Sequence, residues 1–241
     1  MPIPSLKGQR IAIIGGSAGI GYAVAECALA EGAKVTIGSS SAANVEAAVG
    51  RLDHGAGGGV ANAGDEASIA TFFEGLGDFD HLVFTAGDWG PHLAAGPIAQ
   101  MDFGSASEAL RVRFWGAMRA VKHALAGLAA NGSITLTDGV LAHRPRKGAP
   151  LTSAFGGAIE HLARGLAVDL APIRVNAVCP GLVLNERMAQ APSERIRQMT
   201  ERQLLPRAAD PGEVAQAYLY LMRAGYTTGQ VLIVDGGRML V

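Results

Sequence analysis

Gly15-Gly16-Ser17-Ala18-Gly19-Ile20-Gly21 follows the apolar run Ile11-Ala12-Ile13-Ile14 and opens an Ala-rich stretch of helical period over residues 20–29. In a strand–turn–helix unit each of three glycines answers a different steric demand. Gly15 permits the tight turn, Gly19 lets backbone N–H groups approach a pyrophosphate, and Gly21 lets the helix pack close on the sheet. The helix N-terminus adds partial positive charge where phosphates would lie. Ser17, Ala18 and Ile20 complete the cradle. This stretch predicts a dinucleotide held at the end of the first strand of a doubly wound α/β sheet.

The rest of the chain repeats the alternation. Short β-branched runs at residues 35–37, 82–84, 134–136, 174–178 and 231–234 alternate with helical stretches at 42–52, 105–128, 152–170 and 211–222. The strands are continuously apolar rather than alternating, which predicts a parallel sheet covered on both faces by helices. A polar insert at 184–205, rich in Glu, Arg and Gln, follows a strand end, where ligand crevices of such sheets lie, and is a lid candidate. No linker or fixed-period repeat divides the chain, so the expectation is one domain over residues 1–241.

Composition narrows the partners. The 33 Gly among 241 residues are about twice the usual share of ~7%, and they gather in turn-like clusters. Twenty Lys+Arg against 21 Asp+Glu give a net charge of −1, which leaves no basic field for a nucleic-acid backbone. No apolar run approaches the ~18 residues that span a bilayer. The opening MPIPSLKGQR lacks the apolar core of a signal peptide, so a cytoplasmic protein without a membrane partner is expected. Cys27 and Cys179 lack CxxC or His spacing and read as two reduced thiols with no metal.

The Gly15, Gly19 and Gly21 spacing resembles that of the short-chain dehydrogenase/reductase family. So do Thr85-Ala86-Gly87, residues 173–181 (IRVNAVCPG) and residues 229–237 (GQVLIVDGG). The resemblance covers nearly the whole chain. It implies a Rossmann fold with a seven-stranded parallel sheet, a nicotinamide cofactor, a small-molecule substrate, and a homodimer or homotetramer built on the two long helices. The residue ending the second strand faces the adenosine ribose, where a carboxylate would hold a 2′-OH and repel a 2′-phosphate. Here it is Ser39, followed by Ser40 and Ser41, so NADP(H) is preferred over NAD(H), although the Arg that many NADP users place there is missing. By the same resemblance Asn62 and Ala63 border the adenine. Ala86, Gly87, Pro180, Gly181 and Val183 border the ribose and nicotinamide.

The proton-handling half of the family pattern is replaced. Anchored on residues 160–167 (EHLARGLA), the Tyr position is Thr152, the Lys position Gly156, the Ser position Gly139 and the Asn position Arg113. No Tyr occurs between Tyr22 and Tyr218, so no shift of register restores the motif. An aliphatic hydroxyl without a neighbouring ammonium is a poor proton donor at neutral pH. A less common group within the family shares the Arg-Phe-Trp-Gly and Leu-Thr-Asp/Ser-Gly patterns, present here as residues 113–116 and 136–139.

The remaining candidates are Arg113 to polarise an oxygen, with Asp138 or His143 to handle a proton. Asp138 equally suits a buried ion pair with Arg113 or Arg144. Asp88, Trp89 and His92 follow Gly87 in a loop at the same edge, and Tyr218 and Tyr220 read as packing or surface residues. Two functional readings follow. One is an NADP(H)-dependent oxidoreductase acting on a carbonyl- or alcohol-type small molecule; the other is a catalytically inactive dinucleotide-binding sensor or structural partner.

Overall fold

The computed structural model describes residues 4–52, 55–87, 97–186 and 188–241. The apolar runs become β1 (Arg10–Ile14), β2 (Lys34–Ser39), β4 (Phe79–Phe84), β5 (Leu128–Thr137), β6 (Arg174–Pro180) and β7 (Val231–Val234), with a further strand β3 (Ala56–Val60). All pair in parallel, in the order β3-β2-β1-β4-β5-β6-β7. Parallel neighbours need crossovers, and these are helices. They are α1 (Gly19–Ala30), α2 (Ala42–Val49), α3 (Glu66–Glu74), α4 (Phe103–Arg113), α5 (Trp115–Ala124), α6 (Pro150–Asp169), α7 (Ser193–Thr200) and α8 (Pro211–Arg223). Two apolar layers result. One lies between the sheet and α3, α5 and α6, the other between the sheet and α1 and α8. The central strands β1, β4 and β6 are buried on both faces, as their largely apolar sequences require, with His81, Arg174 and Asn176 as the buried polar exceptions.

Several boundaries depart from the sequence reading for definable reasons. The helix expected over 105–128 is two helices, α4 and α5, divided at Phe114, and Leu128 already belongs to β5. β3 carries the sequence AGGGV, which has no strand propensity. It forms because a Cβ on Gly58 would lie 2.5 Å from Val45 Cγ1 and 2.9 Å from Val49 Cγ2. Bare backbone is what lets α2 lie against the sheet edge. The Asp65 side chain accepts from Ala67 N–H and caps α3. The insert at 184–205 contains α7 and a single turn at Met188–Gln190.

Two polar groups are built into this apolar frame. The buried Arg174 guanidinium donates to the Leu221, Met222 and Ala224 carbonyls at the end of α8, where unpaired carbonyls and the helix dipole favour a cation. His81 bridges Ser133 Oγ and Gln9 Oε1, both at 2.8 Å. No helix among the described residues is long and apolar enough to cross a membrane.

Candidate active site

The strand order reverses direction between β1 and β4, and the loops after those strands open a crevice there. After β1, Gly15 takes φ +93° and Gly19 takes φ +54°, conformations that side chains with a Cβ rarely adopt. Gly15 and Gly16 N–H both donate to the Gly38 carbonyl, which ties the turn to β2. A Cβ on Gly15 would meet Ala86 N at 2.5 Å, so the loops after β1 and β4 touch backbone to backbone. Ala86 N–H donates to the Ile14 carbonyl.

Gly19 is different: a Cβ there would meet nothing nearer than Asn185 Cβ at 3.5 Å. Its N–H donates to Glu186 Oε1 at 3.3 Å. A carboxylate of the insert therefore sits on the N-terminus of α1, the place that favours anions. Ala18 is exposed, and Gly21 is closed against the Gly15 carbonyl and Thr85.

The Ser-rich end of β2 adjoins this cradle. Ser17 Oγ donates to Ser39 Oγ at 3.0 Å, Ser40 is exposed, and Ser41 Oγ accepts from Asn44 N–H to cap α2. A cation that the sequence reading lacked stands here. Arg51, just beyond α2, donates from Nη2 to the Ser17 carbonyl at 3.3 Å, with its guanidinium 4.6 Å from the centre of the Tyr22 ring. The separation of 34 positions between Arg51 and Ser17 hides that proximity from any linear motif.

Asn62 Oδ1 accepts from Gly64 N–H and is engaged in its own turn. The Ala63 carbonyl receives Arg119. On the far side of the crevice Gly181 N–H donates to the Val234 carbonyl, the Pro180 strand end is buried, and Val183 pairs with Ala209.

The substrate side is organised around Arg113 at the end of α4. A Cβ on Gly87 would lie 2.9 Å from the Arg113 Cζ, so the guanidinium rests on the backbone that follows β4. The same side chain lines a cavity of about 10 Å³ with Thr137, Asp138, Thr152, Phe155 and Gly156. That is room for roughly one water. Gly156, expected from the resemblance at the Lys position, faces Ala142 so closely that a Cβ would meet that residue's Cβ at 2.8 Å. No longer side chain fits between α6 and the turn Val140–Ala142. The Ser position, Gly139, precedes that turn, and Thr152 is buried in the first turn of α6.

Asp138 is 1% exposed. One atom each from Asp138, His143, Glu160 and Cys179 lie within 4.8 Å of one another. His143 Nε2 is 2.5 Å from Glu160 Oε1, and Arg164 Nη2 is 3.9 Å from Glu160 Oε2. Burial, and then the Glu160 carboxyl beside it, hold the Asp138 carboxyl well above the usual carboxylate range. Burial and the same carboxylates push the Cys179 thiol up. The expected pairing of Asp138 with Arg144 is not present, because Arg144 donates to the Arg238 carbonyl at 3.2 Å. Arg113 does share the Asp138 cavity.

His143 is not a free loop residue either, being clamped on Glu160 with 30% of its side chain exposed. Glu160 and Cys179 were legible only as members of a helix and a strand. They reach Asp138 across 22 and 41 residues of chain. Tyr218 is fully buried and shares a 2.7 Å hydrogen bond with Thr137 Oγ1, which donates to the Phe84 carbonyl. Asp88, Trp89 and His92 lie outside the described residues.

The family described as "Enoyl-(Acyl carrier protein) reductase" matches residues 15–238. The chain is 33% identical over 256 residues to the short-chain dehydrogenase/reductase ATR9 of Stachybotrys chlorohalonatus, with 99% of this chain and all of that one covered. Among solved structures, the MalC reductase/Diels-Alderase from Malbranchea aurantiaca superposes with a TM-score of 0.90 at 30% identity, covering 98% of each chain. A small-chain dehydrogenase in complex with NADPH superposes at 0.80 and 29% identity, over 98% of this chain and all of that one.

Proposed function

Because the chain belongs to the short-chain dehydrogenase/reductase family, we propose that it is an NADP(H)-binding oxidoreductase that moves hydride to or from a carbonyl- or alcohol-type small molecule. Arg113, Asp138 and His143 stand in for the usual Ser, Tyr and Lys. The observation that carries this reading is the placement of Arg113, which rests on Gly87 at the cofactor side and lines the Asp138 cavity at the other.

The residues present fit a dinucleotide. The α1 N-terminus already holds one anion, the Glu186 carboxylate on Gly19 N–H, and the space beside Gly19 is open. Bound there, the nicotinamide supplies or accepts the hydride. Arg113 stays charged at any working pH and presents donors to an oxygen on which negative charge develops. The raised carboxyl of Asp138 keeps its proton near neutrality and can donate it to that oxygen.

Preference for NADP(H) over NAD(H) is supported by three hydroxyls at Ser17, Ser39 and Ser40, by the absence of a carboxylate at the end of β2, and by the Arg51 guanidinium at the Ser17 carbonyl. A structural relative, a small-chain dehydrogenase, is known in complex with NADPH. We place the protein in the cytoplasm as a self-associating single domain of residues 1–241, with no nucleic-acid or membrane partner.

The test is a fluorescence titration with NADPH and NADH, followed by deuterium transfer from labelled NADPH to a panel of carbonyls, enones and quinones. NADPH is expected to bind at least about tenfold more tightly than NADH, the difference of roughly one charge-assisted hydrogen bond. Gly19→Val should abolish binding of both. Arg51→Gln should weaken NADPH selectively, and Arg113→Ala should remove deuterium transfer. Tight NADPH binding with no label in any product would instead favour the non-catalytic sensor, and no binding of either nucleotide would end both readings.

A further inference from the structure

A buried acid that gives up a proton must be recharged, and the route is not through the reaction side once a substrate fills it. Asp138 is 1% exposed, and both of its carboxyl oxygens are buried without a hydrogen-bond partner, one of them within 4.8 Å of one side-chain atom each of Glu160, His143 and Cys179. Behind it the exposure rises stepwise along one direction. The Glu160 side chain is 5% exposed and His143, 2.5 Å from it, is 30% exposed. The fourth group, Cys179, is a dead end on the buried strand β6, and burial keeps its thiol protonated.

The other groups facing this row do not offer a route. Among the described residues they are Arg113 from α4 across the cavity, Arg164 beside Glu160 on α6, Tyr218 from α8 behind Thr137, and Asp235 after β7, whose carboxylate accepts from Gly237 and Met239 N–H. The two guanidiniums keep their protons, and the Tyr218 phenol is fully buried. A carboxyl placed nine-tenths out of water beside a second carboxyl is costly unless the pair shares a proton. No such pair is needed to pack α6, where any apolar side chain of similar volume would serve.

We propose that Glu160 and His143 form the proton path that links Asp138 to solvent, with Glu160 passing the proton and His143 exchanging it with water. This rests on the reading of Asp138 as the donor. In the reducing direction the hydride pair forms the new C–H bond and the carbonyl π pair moves onto oxygen. That oxygen takes the Asp138 proton, leaving a carboxylate. The Nε2–H proton of a His143 imidazolium then passes to the Glu160 carboxylate, and Glu160 passes a proton on to the Asp138 carboxylate. Neutral His143 recovers a proton from water or a buffer acid. One hydride and one proton enter the substrate, and each protein group ends as it began.

The first test needs neither cofactor nor substrate. In protein carrying ¹⁵N-labelled histidine, the ring-nitrogen resonances of His143 are recorded at one fixed pH. Glu160→Gln removes the carboxylate beside Nε2 and should move the Nε2 resonance. Asp138→Asn should move it too, through Glu160. A resonance that neither substitution moves would overturn the proposal, because the three groups would then not be in protonic contact.

The second test is turnover with NADPH in the wild type, Asp138→Asn, Glu160→Gln and His143→Gln. Glu160→Gln and His143→Gln should each lower kcat by about tenfold or more while leaving NADPH affinity unchanged. Added imidazole, a diffusible proton carrier, should restore the His143→Gln rate, which it would not do for a merely structural defect. If Asp138→Asn loses turnover but the other two keep the wild-type rate at every pH, the path is wrong and the donor right. If Asp138→Asn itself turns over normally, the donor assignment falls and the path with it. One equivalent of zinc retained by the purified protein and lost in Cys179→Ser would also overturn the path.

Discussion

Asp138 is a residue whose chemistry departs far from its free form, and its departure has a sign that stability measurements can read. Its carboxyl is pushed up to about 8, first by burial and then by Glu160, from about 3.9 in an unfolded chain. Between those values the folded protein keeps a proton that the unfolded chain releases, so stability is fully present below pH 4 and is lost as the pH rises towards 8. Asp138→Asn resembles the protonated acid in shape and cannot ionise. Urea unfolding at pH 5, 7 and 9 should therefore show the variant gaining on the wild type at each step. A constant gap would mean that Asp138 is ionised in the native state. Single residues were also where the sequence was least informative. Arg113 stood out at the position that the resemblance gives to the family Asn, Asp138 beside the one it gives to the Ser, and His143 in the stretch after β5 that borders the substrate side. Glu160 and Arg51 did not, since an acidic residue on a helix and an arginine after one are ordinary until the fold brings them to Asp138 and Ser17.

At the scale of elements, the packing of α6 on the turn Val140–Ala142 explains why residue 156 is glycine. Replacing a helical glycine by alanine ordinarily stabilises by up to about 1 kcal/mol. At Gly156 the new methyl would stand 2.8 Å from the Ala142 Cβ and 3.4 Å from its Cα, atoms that cannot swing aside. Overpacking of that kind costs about 1–3 kcal/mol and outweighs the propensity gain. Gly156→Ala should lower the urea midpoint at unchanged slope, and a variant as stable as the wild type would show that α6 can slide. The strands with unbroken β-branched runs were legible because burial on both faces demands them. β3 was not, because its three glycines serve α2 rather than their own pairing. The division of the long helix at Phe114 carried no Pro or Gly signal: Gly116 lies two residues beyond it, close against the Ala63 carbonyl.

On the scale of the whole molecule, seven strands running one way put every strand end, and so every candidate site residue, on one rim. The helices are left to face outward. Trp115 and Met118 on α5 are exposed, and Val168 on α6 is 83% exposed. A second copy of the chain seated on α5 and α6, as the family resemblance implies, would cover these groups. Light scattering should give a mass that is a multiple of 24.7 kDa, reduced by Val168→Glu; a monomer at micromolar concentration would refute self-association. The overall topology was the best-read feature of the sequence, because a repeated strand-and-helix rhythm leaves few ways to fold. One buried side chain gives the molecule its own optical gauge. Tyr218 has its phenolic proton committed to Thr137, and burial pushes its ionisation far into alkali. Its tyrosinate absorbance is withheld until the sheet and α8 part. In an alkaline titration, that last increment of colour marks the moment at which the fold is lost, without any label attached.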